Sequence, residues 1–227
     1  MKKYVIIVAG GNGTRMQSPI PKQFLDLCRK PVLIHTIAAF KKALSYIDII
    51  VVLPEAHINL WKALCKKDNF NVPHKICVGG ETRFQSVKNG LALIDEDGVV
   101  GVHDAVRPLI SPKVIIRCFK EAEKYGCAVP VVPIKESIRI IEKNLSHTRN
   151  RNKYRSVQTP QCFRTDIIKK AYNCNYNEMF TDDASVVEKS GYKLRLVEGS
   201  DENIKITTPL DFIIAEAILN HQSKSPR

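Results

Sequence analysis

The sequence predicts an α/β fold: a mostly parallel sheet with helices on both faces, and a β-arm projecting from it. Three observations carry that expectation. Short Val- and Ile-rich runs of strand length alternate with longer segments of helical spacing. Those runs are continuously apolar, as strands covered on both faces require. Strand–helix alternation of this kind implies parallel strands joined by right-handed crossovers.

Tyr4–Ala9 reads as the first strand and runs straight into glycines. Pro31–Leu44 places apolar residues at helical spacing. Ile47–Leu53 is the next strand, and Ala56–Lys67 a helix around Leu60, Trp61 and Leu64. After the strand Ile76–Val78, Thr82 and Gln85 form a capping box that starts a helix running to about Ile94. Val99–His103 is a strand. Ser111 caps the following helix, with Pro112 at its first position. Ala128–Val132 is a strand, and Thr208-Pro209 repeats the cap-and-proline device for a terminal helix through Leu219.

Residues 134–158 break the pattern, with seven basic side chains, two acidic ones and no long apolar face. Ser137–Ile141 alternates like a strand, and Tyr154–Val157 is expected to pair back onto it as a two-stranded arm. A solvated loop is the other reading. Residues 1–227 thus read as one Rossmann-like domain with an appendage, in which ligands bind beyond the carboxyl ends of the strands.

Hydrophobic residues make up 44% of the chain, enough for a core. No apolar run reaches membrane-spanning length, and Tyr4–Ala9 is too short for a signal-peptide core, so a cytoplasmic protein with no membrane partner is expected. The seven cysteines are odd in number and never spaced C-x-x-C, which argues against a zinc site or a disulfide framework. A net charge of +12 suits nucleic acid or a polyphosphate. Aromatic residues are only 7% and the basic arm holds just Tyr154 to stack on a base, so nucleic acid is not the expected partner.

The loop after the first strand is Ala9-Gly10-Gly11-Asn12-Gly13-Thr14-Arg15-Met16. Glycines there let successive backbone amides close on phosphate oxygens. It is not a P-loop, because Gly-Lys-Ser/Thr is missing. Nor is it a dinucleotide fingerprint, because Met16 stands where the third glycine belongs, which opposes a nicotinamide dehydrogenase. Arg15 can grip a phosphate bidentately, and Lys22, in Pro21-Lys22-Gln23-Phe24-Leu25, adds a second positive charge. Two cations beside a glycine-rich first loop suit a triphosphate, whose charge grows locally at the transition state.

These segments resemble nucleotidyltransferases of the sugar-nucleotide pyrophosphorylase type. Gly79-Gly80-Glu81-Thr82-Arg83, Ser86-Val87-x-Asn89-Gly90-Leu91 and His103-Asp104-Ala105-Val106-Arg107-Pro108 narrow the resemblance to the cytidylyltransferase branch. Gln158-Thr159-Pro160-Gln161, Thr181-Asp182-Asp183-Ala184-Ser185 and Asn203-Ile204-Lys205-Ile206-Thr207 extend it, in order, over nearly the whole chain. The resemblance implies transfer of CMP from CTP to 2-C-methyl-D-erythritol 4-phosphate with loss of pyrophosphate, ribitol 5-phosphate being the alternative acceptor. It implies that Arg15, Lys22 and Lys205 are catalytic, and that Ala9, Gly10, Gly11, Gly13, Thr14, Gly80, Glu81, Ser86 and Ala105 hold the nucleotide. Asp104, Arg107, Ser137, Arg151, Thr159 and Thr181 would hold the acceptor, with Asp104 also carrying Mg²⁺. A homodimer joined by the arm is implied, so Arg151, or Arg149 beside it, serves this subunit's site or its neighbour's. Many relatives place glycines where Leu27-Cys28-Arg29 stand, and a threonine where Ser137 stands.

The remaining candidates have plainer readings. His103 sits at a strand end beside Asp104, and Mg²⁺ prefers oxygen, so its expected role is structural. Cys77 and Cys162 have no base partner in sequence and are expected to pack. Thr181-Asp182-Asp183 is either a second metal cluster or a helix N-cap with an acidic first turn.

Overall fold

The computed structural model of the chain describes residues 1–11 and 20–224. Its elements run in the order β1 (Lys2–Val8), β2 (Asp26–Leu27), β3 (Lys30–Pro31), α1 (Val32–Ala43), β4 (Asp48–Leu53), α2 (Glu55–Lys67), β5 (Lys75–Val78), α3 (Arg83–Leu91), β6 (Gly98–Asp104) and α4 (Pro112–Tyr125). There follow β7 (Cys127–Pro133), β8 (Ile138–Glu142), β9 (Leu145–Arg149), β10 (Arg155–Val157), β11 (Gln161–Arg164), α5 (Thr165–Ala171), α6 (Asp183–Lys189), β12 (Leu196–Glu198) and α7 (Pro209–Lys224).

The main sheet has eight strands in the order β10-β7-β11-β6-β1-β4-β5, with β12 also paired to β7. β1 is its centre, parallel to β4 and β6, and β5 adds in parallel to β4. β11 runs against both its neighbours, β6 and β7, and β10 runs against β7. The sheet is therefore mostly parallel, as the apolar runs predict.

Side chains alternate across β1 and sort the core into two layers. Val5 and Ile7 face α1, α2 and α4, meeting Leu33, Ile37, Trp61, Ile115 and Phe119. Tyr4 and Ile6 face α3, α5 and α6, meeting Val87, Leu91, Ile168 and Val187. A third cluster lays α7 over the β2–β3 hairpin through Leu27, Val32, Ile206 and Ala215. Among the described residues no helix is long and apolar enough to cross a membrane.

The caps read from sequence form, with differences at the ends. Gln85 N donates to Thr82 Oγ1 and Thr82 N to Gln85 Oε1, which closes the capping box of α3, although that helix stops at Leu91 rather than near Ile94. Ser111 Oγ accepts from Val114 N to start α4. Asp182, not Thr181, caps α6.

One expectation about the arm is overturned. Ser137–Ile141 does not pair with Tyr154–Val157; β8 folds onto β9, and Arg155–Val157 joins the main sheet on β7. The reason is local. Glu142 and Leu145 are close enough in sequence to close a hairpin, with Lys143 at φ 53° in its turn. Val157 meanwhile gains a partner strand in Val131.

The β2–β3 turn carries a cost the sequence makes visible. Cys28 and Arg29 adopt φ 49° and 69°, the left-handed region that suits glycine or asparagine. Replacing Arg29 by glycine is expected to stabilise the fold by roughly 0.5–1 kcal/mol, since relief of ~1–2 kcal/mol is partly offset by the entropy glycine adds to the unfolded chain. The midpoint of chemical denaturation measures it, and a lower midpoint for Arg29→Gly would refute the strain.

Candidate active site

The loops at the carboxyl ends of β1, β5 and β6 converge above the sheet. Val8 lies in register with Asp104, so Ala9-Gly10-Gly11 leaves β1 beside Asp104-Ala105 leaving β6. Ala9 N donates to Val52 O at 2.9 Å and Ala105 N to Val8 O at 3.1 Å, which extends the sheet one step into the loops. Gln23 Nε2 donates to Ala9 O at 2.8 Å, and Phe24 stacks on Trp61 in the core. Between them these contacts fix the short helical turn Lys22–Phe24 and set Lys22 at the rim of a cavity of about 340 Å³.

That cavity is lined by Ala9, Gly10, Gly11 and Lys22 on one side, and by Gly80, Glu81, Arg83 and Ser86 on the other. Asp104, Ala105 and Lys205 line it as well. Ser86 Oγ holds the second wall, accepting from Gly80 N at 3.1 Å and donating to Thr82 O at 2.9 Å. A Cβ on Gly80 would lie 2.4 Å from Gln85 Cβ, so only glycine lets the loop pass so near α3. Gly13, Thr14 and Arg15, expected in the same site, lie outside the described residues.

A second cavity of about 230 Å³ adjoins the first. Arg107, Thr159 and Thr181 line it, and Arg83, Asp104 and Lys205 belong to both. Ser137 and Arg151 are not brought to it within the chain. Both are exposed on the arm, and the Arg151 guanidinium donates to Lys135 O.

Asp104 is the electrostatic centre. Its Oδ2 accepts from Lys205 Nζ at 3.0 Å and Arg107 Nε at 3.2 Å, while Oδ1 faces Arg83 Nη2 at 3.9 Å. Burial alone would raise its carboxyl; the charges of Arg83, Lys205 and Arg107 outweigh burial and hold it below the usual carboxylate range. Lys205 reaches this point because its loop is stitched down. Asn203 Nδ2 donates to Thr159 O, Arg107 Nη1 to Asn203 O, and Ile206 N to Val106 O.

His103 is a support for this centre. Nε2 faces the Arg107 carbonyl at 3.2 Å, and a carbonyl only accepts, so Nε2 carries the proton. Nδ1 then accepts from Thr159 Oγ1 at 3.0 Å, and Thr159 Oγ1 accepts from Asp104 N at 3.1 Å. Burial pushes the ring down to about 4, which keeps it neutral in that role. Cys162 is likewise buried, and burial pushes its thiol up, away from the nucleophilic form.

The acidic run resolves into structure. Asp182 Oδ1 accepts from Ser185 N and Oδ2 from Gln161 Nε2, while both oxygens of Asp183 accept from Arg83. Among the described residues no group of three His, Cys, Asp or Glu side chains is placed to hold a metal. Asp104 lines both cavities and takes its contacts from Lys205 and Arg107 on Oδ2, with Oδ1 3.9 Å from Arg83 Nη2. That suits Mg²⁺ arriving on substrate phosphates and taking a single protein carboxylate, rather than an ion caged by protein.

Sequence reasoning gave no role to Tyr172, read Arg83 only as part of a family segment, and read Asp183 within either a metal cluster or an acidic first turn. A signal existed for Arg83, because a cation in the first turn of a helix opposes the helix dipole and asks for a partner.

The chain is similar to known proteins along almost its whole length. The family profile described as "IspD: 2-C-methyl-D-erythritol 4-phosphate cytidylyltransferase" matches residues 3–221. A Bacteroides thetaiotaomicron protein named 2-C-methyl-D-erythritol 4-phosphate cytidylyltransferase is 51% identical over 219 residues, which is 96% of this chain and 100% of that one. The crystal structure of 4-diphosphocytidyl-2C-methyl-D-erythritol synthase from Anaerococcus prevotii superposes with a TM-score of 0.82 at 27% identity, covering 96% of each chain. The Francisella tularensis 2-C-methyl-D-erythritol 4-phosphate cytidylyltransferase gives 0.80 at 34% identity, over 96% of this chain and 99% of that one. With the match running from the first strand into the last helix, through both cavities, the chain belongs to the IspD family of 2-C-methyl-D-erythritol 4-phosphate cytidylyltransferases.

Proposed function

We propose that the chain transfers CMP from CTP to 2-C-methyl-D-erythritol 4-phosphate, giving 4-diphosphocytidyl-2-C-methyl-D-erythritol and pyrophosphate. The observation that carries this reading is the pair of adjoining cavities sharing Arg83, Asp104 and Lys205, which suits two phosphate-bearing ligands meeting end to end. CTP takes the larger cavity, with its base near Gly80, Glu81 and Ser86 and its phosphates toward Lys22 and the glycine loop. The acceptor takes the smaller one, between Arg107, Thr159 and Thr181.

An acceptor phosphate oxygen attacks the α-phosphorus of CTP, and the bond from that phosphorus to the bridging β-phosphate oxygen breaks. A phosphate monoester carries about −1.5 to −2 charge near neutral pH and is already a nucleophile, so no general base is needed. The work of the chain is to hold two polyanions together and neutralise the charge that builds between them. Lys205 and Lys22, which both line the larger cavity, do this, and Arg15 is assigned there from sequence. When bound, Mg²⁺ adds charge neutralisation across the phosphate oxygens, and Asp104 is the side chain that would hold it.

Residues 1–227 are read as one nucleotidyltransferase domain, with 134–158 as the arm through which two copies pair. Ile141 and Leu145, 76% and 65% exposed at the tip of the hairpin, support that reading. Pairing would carry Ser137 and Arg151 toward a neighbour's smaller cavity. All seven cysteines are free, which suits the cytoplasm.

The test is pyrophosphate release from CTP with Mg²⁺, with methylerythritol 4-phosphate and ribitol 5-phosphate as parallel acceptors. Turnover with the first is expected. Turnover with ribitol phosphate alone would move the acceptor assignment and keep the CTP chemistry; silence with both would remove the reading.

A further inference from the structure

Arg83 opens α3, where the helix dipole disfavours a cation, and its guanidinium lies between two carboxylates. It donates from Nη1 and Nη2 to Asp183 Oδ1 and Oδ2 at 2.9 and 2.7 Å. Toward Asp104 the same Nη2 stops 3.9 Å from Oδ1, beyond hydrogen-bond reach.

The two acids differ in how they are held. Asp183 is wholly buried at the start of α6, and its Oδ1 also accepts from Tyr172 Oη at 2.6 Å. The Tyr172 ring stacks on Phe84, the neighbour of Arg83, at 4.6 Å between centroids. Asp104 instead lines both cavities and is held through Oδ2 by Lys205 and Arg107. A guanidinium left to itself so near a carboxylate closes to about 2.8 Å, because a charge-assisted contact is the stronger state. The fork to Asp183 opposes that movement.

We infer that Asp183, fixed by Tyr172, is a positioning residue that holds Arg83 off Asp104 Oδ1, so that the guanidinium borders both cavities as an oriented donor and the carboxylate oxygen stays open. This rests on the reaction proposed above, in which the junction lined by Arg83 and Asp104 receives both phosphate-bearing ligands. In Asp183→Asn one acceptor remains and an amide NH₂ meets the guanidinium. Arg83 then swings to Asp104, spends its donors there and closes the junction.

Three measurements test this. The crystal structure of Asp183→Asn is expected to show Arg83 in hydrogen-bond contact with Asp104 Oδ1; an unmoved Arg83 overturns the inference. In steady-state assays Asp183→Asn is expected to lower kcat about tenfold while KM for each substrate changes less than about threefold. In an Arg83→Gln background the same change is expected to lower kcat no further, whereas additive losses would mean that Asp183 does not act through Arg83. If Asp183→Asn does not fold, Tyr172→Phe keeps the ring stack and removes only the hydroxyl. A fall in kcat of about threefold is expected for it, and an unchanged kcat overturns the inference. A wild-type enzyme that releases no pyrophosphate would refute the reaction and leave the crystallographic result to decide the position of Arg83.

Discussion

Replacing Lys205 by alanine is expected to lower turnover at least ~10²-fold, or roughly 2.7 kcal/mol of barrier, with little change in stability. The asymmetry follows from where the ammonium sits. Its side chain is 44% exposed and its ion pair with Asp104 is only partly desolvated, so the pair adds no more than about 1 kcal/mol to folding. The same ammonium borders both cavities, where charge gathers on the α-phosphate as the new bond forms. Removing it leaves that charge short of a partner at the moment the charge is largest. Lys205→Arg keeps the charge on a longer planar group and is expected to recover part of the loss. Steady-state kinetics with thermal unfolding checks this, and an Lys205→Ala enzyme within about threefold of wild-type kcat would remove Lys205 from the catalytic groups.

Lys205 was legible in sequence; its neighbour Arg83 was legible only as part of a segment. The difference is physical. The glycine loop, Asp104 and Lys205 each lie where a strand or its loop ends, so once the apolar runs fix the parallel strands the site follows from the sheet. The Val- and Ile-rich runs behind β1, β4, β5, β6 and β7 made that half of the fold plain. β10 and β12 have three residues each and β11 four, Gln161–Arg164, too short for any period to show. Their order in the sheet depends on pairings with distant residues. Arg83 and Asp183 are 100 positions apart, and nothing local to either announces the other. Ser137 and Arg151 show the opposite failure. Their residue types suit an anionic acceptor, yet the hairpin carries them away from the chain's own cavity, and a single sequence does not say which copy they serve. His103 came out as expected, because a histidine buried on a strand spends its ring on hydrogen bonds within the fold.

Changing Asp104 to asparagine separates binding from catalysis at the same point. The substitution keeps shape and removes the negative charge that Arg83, Arg107 and Lys205 all face. A more positive junction binds CTP as well as before or better, so the dissociation constant is expected to stay level or fall. Turnover is expected to drop at least ~10²-fold, because Lys205 and Arg107 lose the anchor that aims them, and the carboxylate proposed to hold Mg²⁺ is gone. Equal losses in affinity and turnover would count against this division of labour. Stability supplies a second check with a defined sign. The Asp104 carboxyl lies below its unfolded value, so its contribution is complete above the unfolded pKa of about 3.9 and disappears as pH falls through the folded one. The stability gap between wild type and Asp104→Asn is therefore expected to be constant across neutral pH and to close only in strong acid. A gap that closed nearer pH 6 would mean that Asp104 is not held ionised by the three cations around it, and the electrostatic centre of the site would have to be placed elsewhere.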